Sequence, residues 1–498
     1  MDLKFKKSVC PCMERVVWDV QNQEQTQEVK LPDGMPDIGR VLATWGQCVL
    51  RGKEWRGGGL TVSGGVMTRT LYVSAENGQP VCMEAWIPFQ IKRDLPETEH
   101  DGVMRVSCLL QSADARAISD RKLMVRVDVT ALTEALMPVE KEIDTPGEDT
   151  ADLQLLKRTY PVRLPKEAGE KTFLLDEELT LPASCPAPEK LVTYELRPEL
   201  VDQKVVSGRL VFRGTAHLHG LYQSEEGNLH PCNLEIPFSQ FTELDREYGD
   251  EAQAHIIPAV TSLELELEDD RLHLKGGLVA QYLISDREML ELVEDAYSPQ
   301  RTVRVTQQPL LLPVTLEQRR ENFRGEQELS GVNGEIVDVT YFPDHPRVVR
   351  SGDMASLEVP GAFQTLYRDQ EGNLQSSLTR FSSQKEFPLA ENGNIYAMTV
   401  NNSQPQTAIG GGGVLAATDV SVDMMTVSDQ GMDMVTGLEV GEMTEPDPSR
   451  PSLILRRVGD EPLWDLAKRC GSTVDAIRQA NRLQEEPVTG QILLIPVP

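Results

Sequence analysis

The chain repeats itself, and a period near 150 residues restricts it to folds assembled from copies of one module. Residues 71–89 read LYVSAENGQPVCMEAWIPF, residues 221–238 read LYQSEEGNLHPCNLEIPF, and residues 366–374 read LYRDQEGNL. The Leu-Tyr pairs begin at 71, 221 and 366, so successive copies are offset by 150 and then 145 residues. Val41-Leu42, Leu191-Val192 and Ile336-Val337 keep these offsets, as do Asp120-Arg121 and Asp270-Arg271. Three tandem modules of one design are expected: 1–150, 151–300 and a more divergent 301–440.

Within each motif, alternating apolar residues lead into a glycine-containing turn at Asn77-Gly78, Gly227-Asn228 or Gly372-Asn373. In the first two copies a second alternating run then ends at Ile-Pro-Phe, which is the pattern of a β-hairpin. Similar period-two runs recur at Leu123–Val129, Leu263–Leu267 and Leu272–Leu278, bounded by Gly, Pro, Asp or Asn. The expected fold class is mainly β: a string of three sandwich- or barrel-like modules. One helix is predicted in the second module, where Ser285 and Glu288 form a capping box ahead of Met289, Leu290, Leu292 and Val293 and Pro299 forbids continuation.

Residues 441–452, GEMTEPDPSRPS, have the prolines, acids and small residues of an extended spacer. Beyond it the pattern changes. Leu453 to Val458 reads as a strand, and Leu463, Leu466, Ala467 and Cys470 fall on one helical stripe after Pro462. Ser472-Thr473 then caps a second helix carrying Val474 and Ile477, and Gly490-Gln491 turns into a last strand, Ile492 to Ile495. A small α+β (βααβ) domain is expected at 453–498.

The formal net charge is -29, and a surface that acidic repels phosphate backbones and anionic headgroups. Nucleic acid is therefore a poor partner, and no apolar run approaches the roughly 20 residues needed to span a bilayer. Residues 453–498 carry six basic and six acidic side chains, so the whole excess belongs to the remainder. The lysines near the N-terminus lack an apolar stretch behind them, so a secretory signal is not expected and the chain reads as cytosolic. Eight cysteines without short regular spacing read as reduced thiols rather than a disulfide framework.

No constellation stands out as catalytic. His217, His219, His230 and Cys232 could converge on zinc across the second hairpin, but the first module has Met67, Arg69, Pro80 and Cys82 there, and a core role for the cysteines is the better reading. Cys10-x-Cys12 lacks a second ligand pair and reads as a mobile, oxidisable tail. Gly410 to Gly413 is not followed by the Lys-Ser/Thr of a phosphate loop. Neither enzyme activity, nor metal, nor cofactor is expected.

Gly208, Gly214, Leu221-Tyr222, Glu226-Gly227 and Glu235-Ile236-Pro237-Phe238, closed by Glu294-Asp295-Ala296-Tyr297-Ser298-Pro299, resemble the SPOCS domain of spore-coat assembly proteins. Module three lacks the Ile-Pro-Phe triplet and that closure. Gly459-Asp460, Leu463-Trp464, Ala467, Val474, Ile477, Asn481, Gly490-Gln491 and Ile495-Pro496 in sequence resemble a LysM domain. Together these features resemble the SipL-like spore coat morphogenetic proteins. The resemblance implies a scaffold on the mother-cell side of the forespore surface and in the spore coat, with the LysM domain docking on the coat-basement ATPase, stage IV sporulation protein A, and the modules meeting other coat proteins. It also implies a groove between the loops before the first helix and before the second strand. The partner- or glycan-binding candidates are Asp460, Glu461, Leu463, Trp464, Asn481, Arg482, Gly490 and Gln491, although the usual burial of an indole favours the core for Trp464. The usual Gly-Asp-Thr-Leu becomes Gly-Asp-Glu-Pro-Leu here, which loses a hydroxyl. The rival readings are a LysM-tethered protein of peptidoglycan or chitin-like glycan, which requires export, and a LysM-tipped phage tail or baseplate protein.

Overall fold

Strand residues make up 78% of the described residues and helix 4%, so the cores are built from sheet faces. The computed structural model describes residues 6–56, 58–95, 102–145, 153–268, 271–389, 393–410, 413–443 and 451–497. Asp270, Gly411, Gly412 and most of the expected spacer (444–450) lie outside them.

The first copy comprises β1 (Lys6–Lys30), β2 (Ile38–Arg56), β3 (Gly59–Ser74), β4 (Pro80–Asp94), β5 (Val103–Ser119) and β6 (Lys122–Thr145). The second comprises β7 (Gln154–Thr180), β8 (Pro188–Val206), β9 (Arg209–Ser224), β10 (Leu229–Glu243), β11 (Gln253–Glu268) and β12 (Arg271–Tyr297). The third adds two short strands: β13 (Arg301–Glu328), β14 (Glu335–Pro343), β15 (Arg347–Ser351), β16 (Met354–Arg368), β17 (Leu374–Pro388), β18 (Gly393–Asn402), β19 (Gln406–Ile409) and β20 (Val414–Met443). Each copy folds into two antiparallel sheets. One is a meander, β2-β3-β4, β8-β9-β10 or β14-β16-β17; the other pairs the first strand with the last, as β1-β6-β5, β7-β12-β11 and β13-β20-β18. The sheets are open, so the modules are sandwiches and the barrel alternative falls. Among the described residues no helix is long and apolar enough to cross a membrane.

The repeated motif is the central hairpin of each meander. Gly78, Gly227 and Gly372 adopt positive φ (71°, 82° and 83°), a region that L side chains enter at a cost. The motif's tyrosine acts identically in all three copies: Tyr72, Tyr222 and Tyr367 each donate a hydroxyl hydrogen bond to a carbonyl 36 residues upstream, that of Pro36, Pro186 or Gly331. Each pins the hairpin to the loop that follows the module's first strand.

The phenylalanine of Ile-Pro-Phe lies across the sheet from a glycine, Phe89 from Gly64 and Phe238 from Gly214, and a Cβ on Gly214 would sit 2.5 Å from Phe238 Cζ. Module three has Val359 opposite Ser383 at that pair. The ring and the space for it are lost together, which is why the triplet is dispensable there.

Beyond each sandwich, the first and last strands run on as a two-stranded ribbon. At the exit, each first strand carries a β-bulge at an equivalent place: Val16 in β1, Lys166 in β7 and Val314 in β13. An extra residue bends and twists a strand, which re-aims the ribbon away from its own sheet. The three ribbons pack together in apolar layers. Met13, Leu136, Leu283, Leu316, Met425 and Val427 form one; Cys10, Cys12, Val162, Leu164, Leu292, Leu312, Met432 and Met434 form the next. All three modules contribute to both.

Two expectations are corrected here. The helix predicted at Ser285–Ala296 is the ribbon half of β12, paired throughout with β7. Residues 286–292 alternate outward and inward, with Met289 61% exposed. A second bulge between Val293 and Asp295 resets the phase, so Leu292, Val293 and Ala296 are all buried. That reset imitates a helical stripe. The Cys10-x-Cys12 tail lies in β1 and is buried. Cys10 Sγ donates to Glu288 Oε2 at 3.0 Å, while Lys166 Nζ binds Glu288 Oε1 at 2.6 Å and the Pro11 carbonyl at 3.0 Å. Burial, together with the carboxylate it donates to, pushes the Cys10 thiol up to about 12. It is a hydrogen-bond donor rather than a reactive thiolate.

The modules are not a string. They close into a ring: β4 of the first meets β8 of the second, β10 of the second meets β14 of the third, and β17 of the third meets β2 of the first. Cys82 Sγ donates to the Val192 carbonyl at 2.9 Å and Ser376 Oγ donates to the equivalent carbonyl of Leu42. The third junction has Pro231 at that register, which cannot donate, and is held instead by His219, whose imidazole lies 3.2 Å from Asp338 Oδ2.

Between the first and second modules, fully buried Arg105 spends its guanidinium on Glu134 and on the carbonyl (2.9 Å) and Nδ1 (3.0 Å) of His255. Burial opposes ionisation of Glu134, but Arg105 and Arg15 outweigh it and hold the carboxyl at about 2. Burial and then Arg105 keep His255 neutral, at about 3, so its Nδ1 can accept. Arg15 also lies over the Tyr396 ring of the third module at 4.1 Å, which links all three copies through one charge network.

Two outcomes follow. Burial would lower the His219 pKa, yet Asp338 outweighs it and raises it from 6.5 to about 9. The ion pair therefore stabilises fully below pH about 6.5, and its contribution drains away as pH rises through about 9. The gap in urea midpoint between the parent chain and Asp338→Asn should narrow over that window; a constant gap would refute the linkage. In native protein Cys10 and Cys12 should resist alkylation that proceeds readily in denaturant, as peptide mass spectrometry can score.

Candidate docking head and its seat on the body

The last 46 residues fold as β21 (Leu453–Arg457), α1 (Leu463–Cys470), α2 (Val474–Asn481) and β22 (Ile492–Pro496), with β21 and β22 antiparallel. Leu463, Leu466, Ala467 and Cys470 on α1, Ile477 on α2, and Leu493 and Ile495 on β22 make the core. Thr473 caps α2 by accepting from the Ala476 amide at 3.1 Å. Helix α1 begins at Pro462, which has no side-chain oxygen to offer, and the Leu463 amide is satisfied from a distance by Glu486 Oε2 at 3.2 Å. Gly471, in the left-handed conformation, ends α1.

This head is fastened to the second module. Trp464 Nε1 donates to Asp295 Oδ2 at 2.8 Å, Lys468 Nζ reaches the same carboxylate at 2.7 Å, and the Trp464 ring meets Tyr297 edge to face at 4.8 Å. The Tyr297 hydroxyl continues inward and donates to the Ser472 carbonyl at 2.9 Å. Asp295 and Tyr297 belong to the end of β12, so the residues that close the second module double as the seat of the head.

The sequence candidates separate into two groups. Leu463 is buried in the core. Trp464 is half-buried and turned toward the body. Asn481 is a structural clamp: its Oδ1 accepts from the Leu494 amide at 2.8 Å, and its Nδ2 donates to the carbonyls of Leu494 (2.6 Å) and Ile477 (2.8 Å), which joins α2 to β22. Glu461 is held by Arg469. Asp460, Arg482, Gly490 and Gln491 are exposed. Arg482 sits at φ 51° as the C-cap of α2. The loops flanking the expected groove are tied together, with Thr489 Oγ1 donating to Asp460 Oδ1 at 3.0 Å and the Gly490 amide to the Val458 carbonyl at 2.8 Å.

The four histidine and cysteine candidates of the second hairpin do not share a site. Register places His219 opposite Asn233 and His217 opposite Glu235, whereas Cys232 lies opposite Gly220 and His230 opposite Tyr222. The pairs therefore point to opposite faces of the sheet. His219 is used by Asp338, and His230 packs on Tyr222. Among the described residues Glu266, Glu268 and His273 do bring ligand atoms within 4.8 Å of one another, in a largely exposed position where His273 Nε2 already engages Asp176 at 2.8 Å.

Sequence reasoning missed the seat. Its signal lay in Glu294-Asp295-Ala296-Tyr297-Ser298-Pro299, which reads as a boundary marker and serves as a contact surface.

Residues 188–269 match the family model SipL, SPOCS domain. The matched SPOCS segment runs from β8 through β11, and so contains the central meander with its Tyr222 bond and its Gly214–Phe238 pair. No curated protein and no solved structure matches the chain.

Asp295→Ala strips Trp464 Nε1 and Lys468 of their shared acceptor. It should raise amide exchange in α1 and at 293–297 by several-fold while leaving β8–β10 unchanged. Trp464→Phe keeps the edge-to-face contact and should have the smaller effect, about 1 kcal/mol of seating energy.

Proposed function

We propose that this chain is a non-catalytic scaffold of endospore coat assembly. The observation that carries the reading is the SPOCS-domain match at 188–269, a domain whose SipL context points to a sporulation-related coat protein. The ring of modules supplies a rigid acidic body for meeting other coat components, and the electroneutral LysM-like head supplies the address, docking on the coat-basement ATPase, stage IV sporulation protein A, at the forespore surface. A protein partner is favoured over a glycan because the loops that would flank a sugar groove are bonded to each other through Thr489 and Asp460, and because Glu486 takes the place of the lost hydroxyl at the start of α1.

On this reading a fluorescent fusion of the full chain forms a ring around the forespore in a sporulating host. A version ending at Met443 is made at equal level and stays diffuse in the mother cell. A ring that persists without the head would overturn the reading.

A further inference from the structure

The two-stranded sheet of the head buries one face and leaves the other bare. Leu493 and Ile495 turn inward, while Leu453 (53% exposed), Leu455 (67%), Ile492 (54%) and Leu494 (36%) project outward. Leu455 lies directly opposite Leu494, and Leu453 opposite Pro496, so the four aliphatics form one contiguous patch. Isolated exposed leucines are ordinary, but four on two five-residue strands form a surface that water covers at a cost. Arg457 stands on the same face, opposite Ile492, whereas Arg456, opposite the inward Leu493, belongs to the other face. Among the described residues neither arginine has an ion-pair partner, in a chain that carries -29 overall.

The occupants offered by the chain itself do not fit. The body already holds the opposite side of the head, through α1. The preceding segment, Thr444-Glu445-Pro446-Asp447-Pro448-Ser449-Arg450, has no leucine, isoleucine, valine or methionine to lay on leucines. A second copy docking face to face would bring the two Arg457 guanidinium groups onto one apolar face and two strongly acidic bodies into proximity.

We propose that this face, rather than the loop groove, receives the head's protein partner, and that the partner segment is an amphipathic helix with acidic residues beside its aliphatic stripe. Spacing supports the geometry. Residues i and i+2 of a strand lie about 6.7 Å apart, close to the roughly 6 Å between i and i+4 of a helix, so Leu453 and Leu455 match successive turns. The acidic flank would meet Arg457, which the body's own carboxylates leave unused. This rests on the reading that the head is the docking element.

The test uses the full chain. Leu455→Glu combined with Leu494→Glu changes exposed side chains and should leave the melting temperature unchanged. In the sporulating host this pair should disperse the forespore ring, whereas Asp460→Ala with Gln491→Ala in the loops should keep it. If the face variant keeps its ring and the head-deleted chain loses it, this inference fails and the scaffold reading stands; if the head-deleted chain also keeps its ring, both fail. For the chemistry, the probe is a fluorescein-labelled helical peptide with leucine at i, i+4 and i+7 and glutamate beside them. It should bind the purified parent chain at least tenfold more tightly than the double-glutamate variant, and more weakly in higher salt. Its lysine-for-glutamate counterpart should not bind. Equal binding by both peptides or by both chains, or no binding by the glutamate peptide, overturns the proposal.

Discussion

Everything in this structure depends on each module's first strand finding its last. β1 pairs with β6, β7 with β12 and β13 with β20, and in every case the meander lies between the two in the chain, while β5, β11 or β18 adds to the pair's own sheet. Until that pairing forms, the bulges at Val16, Lys166 and Val314 have no partner strand to bend against, and the ribbons that stack into the central apolar layers do not exist. Contacts of such long sequence separation must outweigh the loop-closure entropy of the strands between them.

Tandem repetition also lets each copy change alone. At one equivalent position the modules carry Arg69, His219 and Gln364, all buried, and at another Cys82, Pro231 and Ser376. Arg69 reaches the Tyr194 carbonyl at 3.1 Å and lies over its ring, while His219 meets Asp338. Each junction is thus held by a different polar device. A buried charge without its partner costs several kcal/mol, so a neighbour lacking Asp338 would be penalised at the His219 junction.

Local periodicity made a large part of this legible. The Leu-Tyr repeat located the hairpins because its turn glycines must take positive φ and its tyrosines must reach one fixed carbonyl. The α1 stripe of Leu463, Leu466, Ala467 and Cys470 was equally plain. What escaped was whatever depends on a bulge or on a distant partner. The extra residue near Glu294 broke the period of two and mimicked a helix. Cys10 had no local clue to its burial, because Lys166, Glu288 and Leu312 come from the other two modules. Trp464, expected in the core of the head, is half-buried against the body instead, and the acceptor that holds it, Asp295, lies 169 residues upstream.

The seat at Asp295 and Tyr297 has a geometric consequence. A ring of three similar units has three similar corners, and rotation among them would be hard for a binding surface to detect. This chain marks a single corner, because the first copy has Ile143 and Thr145 and the third has Gly441 and Met443 near the ends of their last strands, where the second has its aspartate and tyrosine. A partner bound to the head would therefore meet the body in one rotational setting, fixed by the Asp295–Trp464 seat.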